Sequence, residues 1–235
     1  MKTLLISTPV RFMTPYHRRT RGCMPPLNLL YLASSLLNRG HEAMVLDTYS
    51  DQGITDAEIL ARAAAFSPGL IGIPTYTVAM PEAFSLAALL KKALPQAKIV
   101  FGGIHASYLP AECLKDANVD LVVIGEGEDA LPEIADALDA GRPLETVKGL
   151  AFRSGGKDVF TPPRPESENM DAKPLPAWHL AEFDRYYMSS TRAASDKRAA
   201  STLSMRGCSY NCVFCTHSFC YKTARLRKPA AVADE

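Results

Sequence analysis

The sequence has almost no excess of charge of either sign, since 26 lysines and arginines face 25 aspartates and glutamates across 235 residues. No global field is therefore available to gather nucleic acid or an anionic membrane surface. No apolar run approaches the ~20 residues needed to cross a bilayer. The opening Met1-Lys2-Thr3-Leu4-Leu5-Ile6 is too short an apolar run for a signal peptide. Cysteine is sparse, at six residues. Without a secretory leader that count excludes a disulfide-built scaffold and fits a reducing cytoplasm. Internal repeats and low-complexity tracts are absent too. What remains is ordinary for a globular chain that buries a core: 47% hydrophobic and 22% charged residues, enough for one large or two small domains.

Short apolar runs recur over residues 1–140: Leu4-Leu5-Ile6, Met44-Val45-Leu46, Leu70-Ile71-Gly72-Ile73, Ile99-Val100-Phe101 and Leu121-Val122-Val123-Ile124. Runs of this length suit strands buried on both faces of a parallel sheet. Helical stripes fill the gaps, as in Leu29, Leu32, Ala33 and Leu36, or Leu131, Ile134, Ala135 and Leu138. Thr55 and Glu58 form a capping-box pattern, and Pro81 suits the first turn of a helix. Five βα units predict a five-stranded, doubly wound, Rossmann-like parallel sheet.

Ligands of such sheets lie beyond the carboxyl ends of the strands. The loop there after the first strand, Thr8 to Pro26, is long enough to be functional and carries Arg11, His17, Arg18, Arg19 and Arg21. It has no glycine fingerprint, which counts against a nicotinamide or flavin dinucleotide. Strand three runs into Thr75 and Thr77, which places hydroxyls at the sheet edge. Strand four ends in Gly102-Gly103, where missing side chains admit a ligand or simply form a tight turn. Gly125-Glu126-Gly127-Glu128-Asp129-Ala130 matches G-x-G-x-x-A, but it follows the last strand and is a weak signal.

Residues 141–200 read as a connector: a hairpin across Ser154-Gly155-Gly156, then a strap extended by Pro162, Pro163, Pro165, Pro174 and Pro176 and anchored by Trp178. Residues 201–235 follow, with Ser201–Met205 expected as a strand that delivers Cys208 past its end. The run Arg206-Gly207-Cys208-Ser209-Tyr210-Asn211-Cys212-Val213-Phe214-Cys215 has C-x3-C-x2-C spacing. Three thiolates that close can hold three corners of an iron–sulfur cube and leave one iron open for a ligand. A zinc site completed by Cys220 or His217 is the competing reading, and unliganded thiols the blandest. Residues 206–228 hold five basic and no acidic side chains, which suits an anionic cofactor; a solvated basic face is the alternative for Arg225 and Arg227.

The cysteine run resembles the cluster motif of the radical S-adenosylmethionine enzymes. The resemblance implies that Cys208, Cys212 and Cys215 bind a [4Fe-4S] cluster whose fourth iron chelates S-adenosylmethionine, with Phe214 near the adenine. Reductive cleavage would release a 5′-deoxyadenosyl radical, fed by an electron donor such as flavodoxin or ferredoxin. Residues 1–140, through Pro25-Pro26-Leu27-Asn28-Leu29-Leu30-Tyr31-Leu32-Ala33, Gly40-His41-Glu42, Gly102-Gly103-Ile104-His105-Ala106 and Gly125-Glu126-Gly127-Glu128, resemble the cobalamin-binding domain that precedes many such cores. That resemblance places the corrin over the carboxyl edge, with its nucleotide tail toward Gly102-Gly103, Thr75 and Thr77, and makes Gly125 and Glu126 further contacts. The D-x-H-x-x-G motif that supplies histidine to cobalt is absent, so no histidine ligand is expected; His41 and His105 read as surface or turn residues.

Only residues 201–235 follow the connector, whereas a (β/α) barrel needs roughly 200 or more. This segment is expected to be the start of an incomplete radical S-adenosylmethionine barrel, and the chain alone to be inactive or nearly so. The expected reaction is methylation, cyclisation or rearrangement of a small organic substrate. Two alternatives are a stand-alone cobalamin-binding module with a vestigial cluster motif and a radical methylthiotransferase-like protein. Only Cys23 and Cys113 precede the motif, too few for the latter's extra cluster.

Overall fold

The computed structural model describes residues 1–9, 23–50, 54–186, 200–215 and 223–235. Arg11, His17, Arg18, Arg19 and Arg21 of the long basic loop, and the candidate zinc ligands Cys220 and His217, lie outside these residues.

The expected strands form as β1 (Lys2–Ile6), β2 (Glu42–Leu46), β3 (Leu70–Pro74), β4 (Lys98–Gly102) and β5 (Leu121–Val123). They pair in the order β2-β1-β3-β4-β5, all parallel. Between them run α1 (Leu27–Asn38), α2 (Asp56–Phe66), α3 (Met80–Ala93), and two short helices, α4 (Ile104–Tyr108) and α5 (Pro110–Leu114). Helix α6 (Gly127–Asp139) follows β5. The capping box at α2 is complete: the Thr55 hydroxyl accepts from the Glu58 N–H, and the Thr55 N–H donates to the Glu58 carboxylate. Pro81 lies in the first turn of α3, where its missing N–H costs nothing.

Among the described residues the sheet has seven strands, not the expected five. The hairpin expected in the connector forms as β6 (Leu150–Ser154) and β7 (Lys157–Phe160), and β6 pairs antiparallel with β5. The physical reason is an edge. Without β6, β5 would expose a row of unpaired backbone groups. Leu150 and Phe152 also bury their side chains on one face of the sheet and Ala151 on the other. The expected strand at Ser201–Met205 shortens to β8 (Met205–Arg206), paired antiparallel with β9 (Arg225–Leu226), ahead of α7 (Pro229–Asp234).

Strand alternation divides the core in two. Leu4, Ile6, Ile71, Ile73, Ile99 and Phe101 pack toward α2, α3 and the α4–α5 pair, whereas Leu5, Leu70, Val100, Leu121 and Val123 pack toward α1 and α6. Both faces are covered, as the continuous apolar strand sequences require. The strap runs along the α1/α6 side: the Ala177 N–H donates to Leu30 O at 3.0 Å, and Trp178 packs against Phe183 with ring centroids 5.7 Å apart. No helix among the described residues is long and apolar enough to cross a membrane.

Candidate cofactor site

Gly72 and Gly102 alternate with Leu70 and Val100, so both face α1 and α6. Having no side chains, they leave the sheet bare there, and a cavity of about 670 Å³ opens over the carboxyl ends of β3, β4 and β5. Its floor includes Leu5, Gly72, Val100 and Gly102, and one wall is formed by Leu29, Leu32 and Leu131. A volume of that size suits a sizeable organic ligand. Position 72 is occupied by backbone alone, because a Cβ there would lie 2.8 Å from Leu5 Cδ2. In the sequence Gly72 sits within the apolar strand run Leu70-Ile71-Gly72-Ile73. The signal it carried was a glycine inside a buried apolar run, which marks a close approach.

The turn after β4 holds the residues expected to contact a cofactor. Gly103 has φ +92°, and a Cβ there would meet Thr75 O at 3.2 Å and Thr75 N at 3.3 Å. Thr75 is fully buried; its hydroxyl donates to Gly102 O at 2.9 Å and accepts from the Ala106 N–H at 3.1 Å. That hydroxyl therefore shapes the Gly102–Ala106 turn and does not face the cavity. Thr77 is exposed and its hydroxyl lies 3.1 Å from His105 Nδ1. Gly102, Gly103, Gly125 and Glu126 line the cavity; Thr75 and Thr77 do not. His41 lies in the turn before β2 but is buried, with Nε2 3.1 Å from Asp136 and Nδ1 3.4 Å from the amino group of Met1. That position is at the opposite end of the sheet from the cavity.

The remaining wall of the cavity comes from the far end of the chain, through Leu203, Met205, Arg206 and Gly207. Arg206 donates to the Glu128 carboxylate, lies 3.4 Å from Glu126 and places its Cζ over the Tyr31 ring, 5.6 Å from the centroid. Arg225 makes a two-pronged contact with Glu126, at 2.6 and 3.1 Å, and its Nε lies 3.3 Å from Glu166. Arg227 donates to Tyr31 Oη at 3.0 Å and reaches Asp171 at 3.4 Å. Arg225 and Arg227 are both buried. They are neither a solvated basic face nor free to bind an anion, because Glu126, Glu166, Asp171 and Glu235 already neutralise them. Burial alone would raise the Glu126 carboxyl, but Arg225 and Arg206 outweigh it and hold the group below the usual carboxylate range.

Gly207 permits this crossing. Its φ is +83°, and a Cβ would stand 2.0 Å from Thr223 O. Beyond it the cysteine loop is open: Cys208 and Cys215 are half-buried, Cys212 is exposed and Phe214 is 88% exposed. The Cys215 N–H donates to Cys212 O at 3.0 Å. None of the three thiols is in a disulfide. Among the described residues no three His, Cys, Asp or Glu side chains are gathered as a ready metal site, so the sulfurs share a loop without converging. The donor set nevertheless fits an iron–sulfur cluster, since thiolates are its usual ligands. Cys23 and Cys113 are buried elsewhere; burial pushes their thiols up to about 12 and about 11, which leaves them inert.

Residues 14–135 match the family model described as the B12 binding domain. An uncharacterized methyltransferase of Pyrococcus horikoshii is 33% identical over 219 residues, 93% of this chain and 46% of that protein. The anaerobic magnesium-protoporphyrin IX monomethyl ester cyclase of Rubrivivax gelatinosus is 29% identical, over 91% of this chain and 39% of its own length. The chain thus spans less than half the length of these curated relatives. The radical S-adenosylmethionine methyltransferase TsrM from Kitasatospora setae, solved with cobalamin and a [4Fe-4S] cluster, shares the fold across 100% of this chain and 44% of its own, with a TM-score of 0.72 at 22% identity. With the model matching more than half of its residues, the chain belongs to the B12-binding domain family.

Proposed function

We propose that this chain carries two cofactor-holding parts of a cobalamin-dependent radical S-adenosylmethionine enzyme that methylates, cyclises or rearranges a small organic substrate. The observation that carries this reading is shared geometry. The cavity over the carboxyl edge of a B12-binding fold has Arg206 and Gly207 as one wall, and the next residue is the first cysteine of the C-x3-C-x2-C run. In this reading the bare backbone of Gly102, Gly103 and Gly125 admits cobalamin, and Leu29, Leu32 and Leu131 exclude water from it. Neither His41 nor His105 lines the cavity, so neither would be placed to hold the cobalamin. Cys208, Cys212 and Cys215 would hold the [4Fe-4S] cluster, and Phe214 would pack near the adenine of S-adenosylmethionine. Bound there, the cluster supplies the electron that cleaves the sulfonium, and cobalamin supplies a carrier for a methyl group. The open loop is consistent with ligands that are gathered only when metal binds, since metal binding and local folding are coupled.

The reading includes a flavodoxin- or ferredoxin-type electron donor and a cytoplasmic setting, and the near-balanced charge supports no nucleic-acid partner. A second reading, a stand-alone cobalamin-binding module, draws on the exposed Cys212 and Phe214. Anaerobic reconstitution with iron and sulfide separates the two. We expect about four irons per chain, lost when Cys208, Cys212 and Cys215 are all replaced by alanine, and a shifted absorbance spectrum on titration with hydroxocobalamin. Cobalamin binding without iron uptake selects the stand-alone module, and neither binding event overturns both.

A further inference from the structure

We infer that Arg206 is a positioning residue that couples the cobalamin cavity to the cysteine loop. The inference rests on the reading above, in which the cavity takes cobalamin and the loop takes the cluster. Arg206 is 17% exposed and is held from three directions by residues of the sheet domain. Its guanidinium meets Glu128 through one nitrogen and Glu126 through another, and its Cζ lies over the Tyr31 ring. Arginine is suited to this, because a flat fork can satisfy two carboxylates and a ring together where a lysine ammonium is a point charge.

The three partners are cavity residues as well: Tyr31 from α1, Glu126 from the turn into α6 and Glu128 from the first turn of α6. A ligand that presses on that wall therefore presses on the groups that hold Arg206. Two residues further on is Cys208, and Gly207 between them is pinned against the backbone of Thr223. The link from cavity wall to cysteine backbone thus has little slack. Arg225 reinforces it by gripping the same Glu126 while pairing its strand with the one that carries Arg206. Glu128 has one oxygen on Arg206, while its other oxygen is buried and finds no hydrogen-bond partner among the described residues. That leaves Arg206 as the group that compensates its charge.

Coupling of this kind is reciprocal: whatever cluster assembly does to cobalamin affinity, cobalamin must do to cluster assembly. The test uses the full chain, with and without reconstituted cluster, titrated with hydroxocobalamin by absorbance. We expect the cluster-loaded chain to bind at least about five-fold more tightly, the lower end of ordinary coupling. Arg206→Gln should bring the ratio of affinities to within two-fold of one, Glu128→Gln should do the same from the other side of the contact, and Arg206→Lys should fall between. A wild-type ratio near one overturns the inference, as does an undiminished ratio in both Arg206→Gln and Glu128→Gln. Failure of both wild-type forms to bind cobalamin removes the reading underneath it instead. Amide hydrogen exchange gives a readout independent of cobalamin. The backbone of residues 203–208 should lose protection in Arg206→Gln while β3 and β4 keep theirs, and equal protection in the two proteins would show that Arg206 positions nothing.

Discussion

Replacing Gly207 with alanine isolates the mechanical part of the link between sheet and cysteine loop. Two costs add at this position. A residue with a Cβ at φ +83° incurs about 1–2 kcal/mol of backbone strain. The added Cβ also starts 2.0 Å from Thr223 O, and that neighbour is backbone, which cannot swing aside like the end of a flexible side chain. The two strands must separate, and the β8–β9 pairing between Met205–Arg206 and Arg225–Leu226 goes with them. A total of about 2–3 kcal/mol against the docked arrangement shifts its equilibrium by about 30- to 140-fold, at tenfold per 1.4 kcal/mol. Because the crossing lies outside the two sheet cores, the unfolding transition of the sheet domain should hold nearly still while amides 203–208 lose protection and iron retention after reconstitution falls. Calorimetry, exchange and iron analysis on the same preparation measure these three quantities. Gly207→Ala that retained full protection at 203–208 would refute the crossing as the element that fixes the loop.

Three other perturbations probe separate parts of the site. Gly72→Val should fill the floor of the cavity and weaken hydroxocobalamin binding at least about ten-fold, with 1–3 kcal/mol lost to overpacking. Gly72→Ala should be milder because its nearest neighbour, Leu5 Cδ2 at 2.8 Å, is a movable chain end; equal affinities in a spectroscopic titration would place the ligand elsewhere. Thr75→Val keeps the shape but deprives the Ala106 N–H of its acceptor, a loss of about 1–3 kcal/mol. The corresponding fall in Tm is about 2–4 °C per kcal/mol for a chain of this size, read by calorimetry. Acid should release the β8–β9 pair from the cavity wall. The folded Glu126 carboxyl lies below its usual value, so its contribution is complete above about pH 4.3 and disappears as pH falls through the lower folded value. Exchange at 203–208 followed from pH 6 downward should stay slow until that range; loss of protection already near pH 6 would contradict the role given to Glu126.

The strands were legible because each carries its own signal. A run such as Leu4-Leu5-Ile6 must be covered on both sides, and only a parallel sheet between helices does that. The Thr55–Glu58 capping box and Pro81 are equally local. The hairpin of β6 and β7 was legible too, but not its attachment. That depends on Val123 meeting Leu150 across an edge, a contact between distant segments that no local pattern encodes. Gly102-Gly103 stood out as a glycine pair at a strand end, while Gly72 was hidden inside an apolar run. Thr75 was placed correctly in the chain, yet the direction of its hydroxyl depends on which backbone groups the next turn leaves unpaired.

Charge was the hardest property to read, for a physical reason. Residues 206–228 contain only basic charges when taken in isolation, and a basic segment read alone indicates either solvent or an anionic ligand. Apart from Glu235, which pairs with Arg227 from eight residues further on, their partners Glu126, Glu128, Glu166 and Asp171 precede that segment by 35 or more positions and are scattered among unrelated elements. Buried arginines demand such partners, because an unpaired charge away from water costs far more than the pairing returns. The balance of 26 basic and 25 acidic residues therefore conceals an ordered arrangement. Local excesses of opposite sign, carried by the sheet domain and by the segment around the cysteines, cancel where the two meet, on the wall of the cavity.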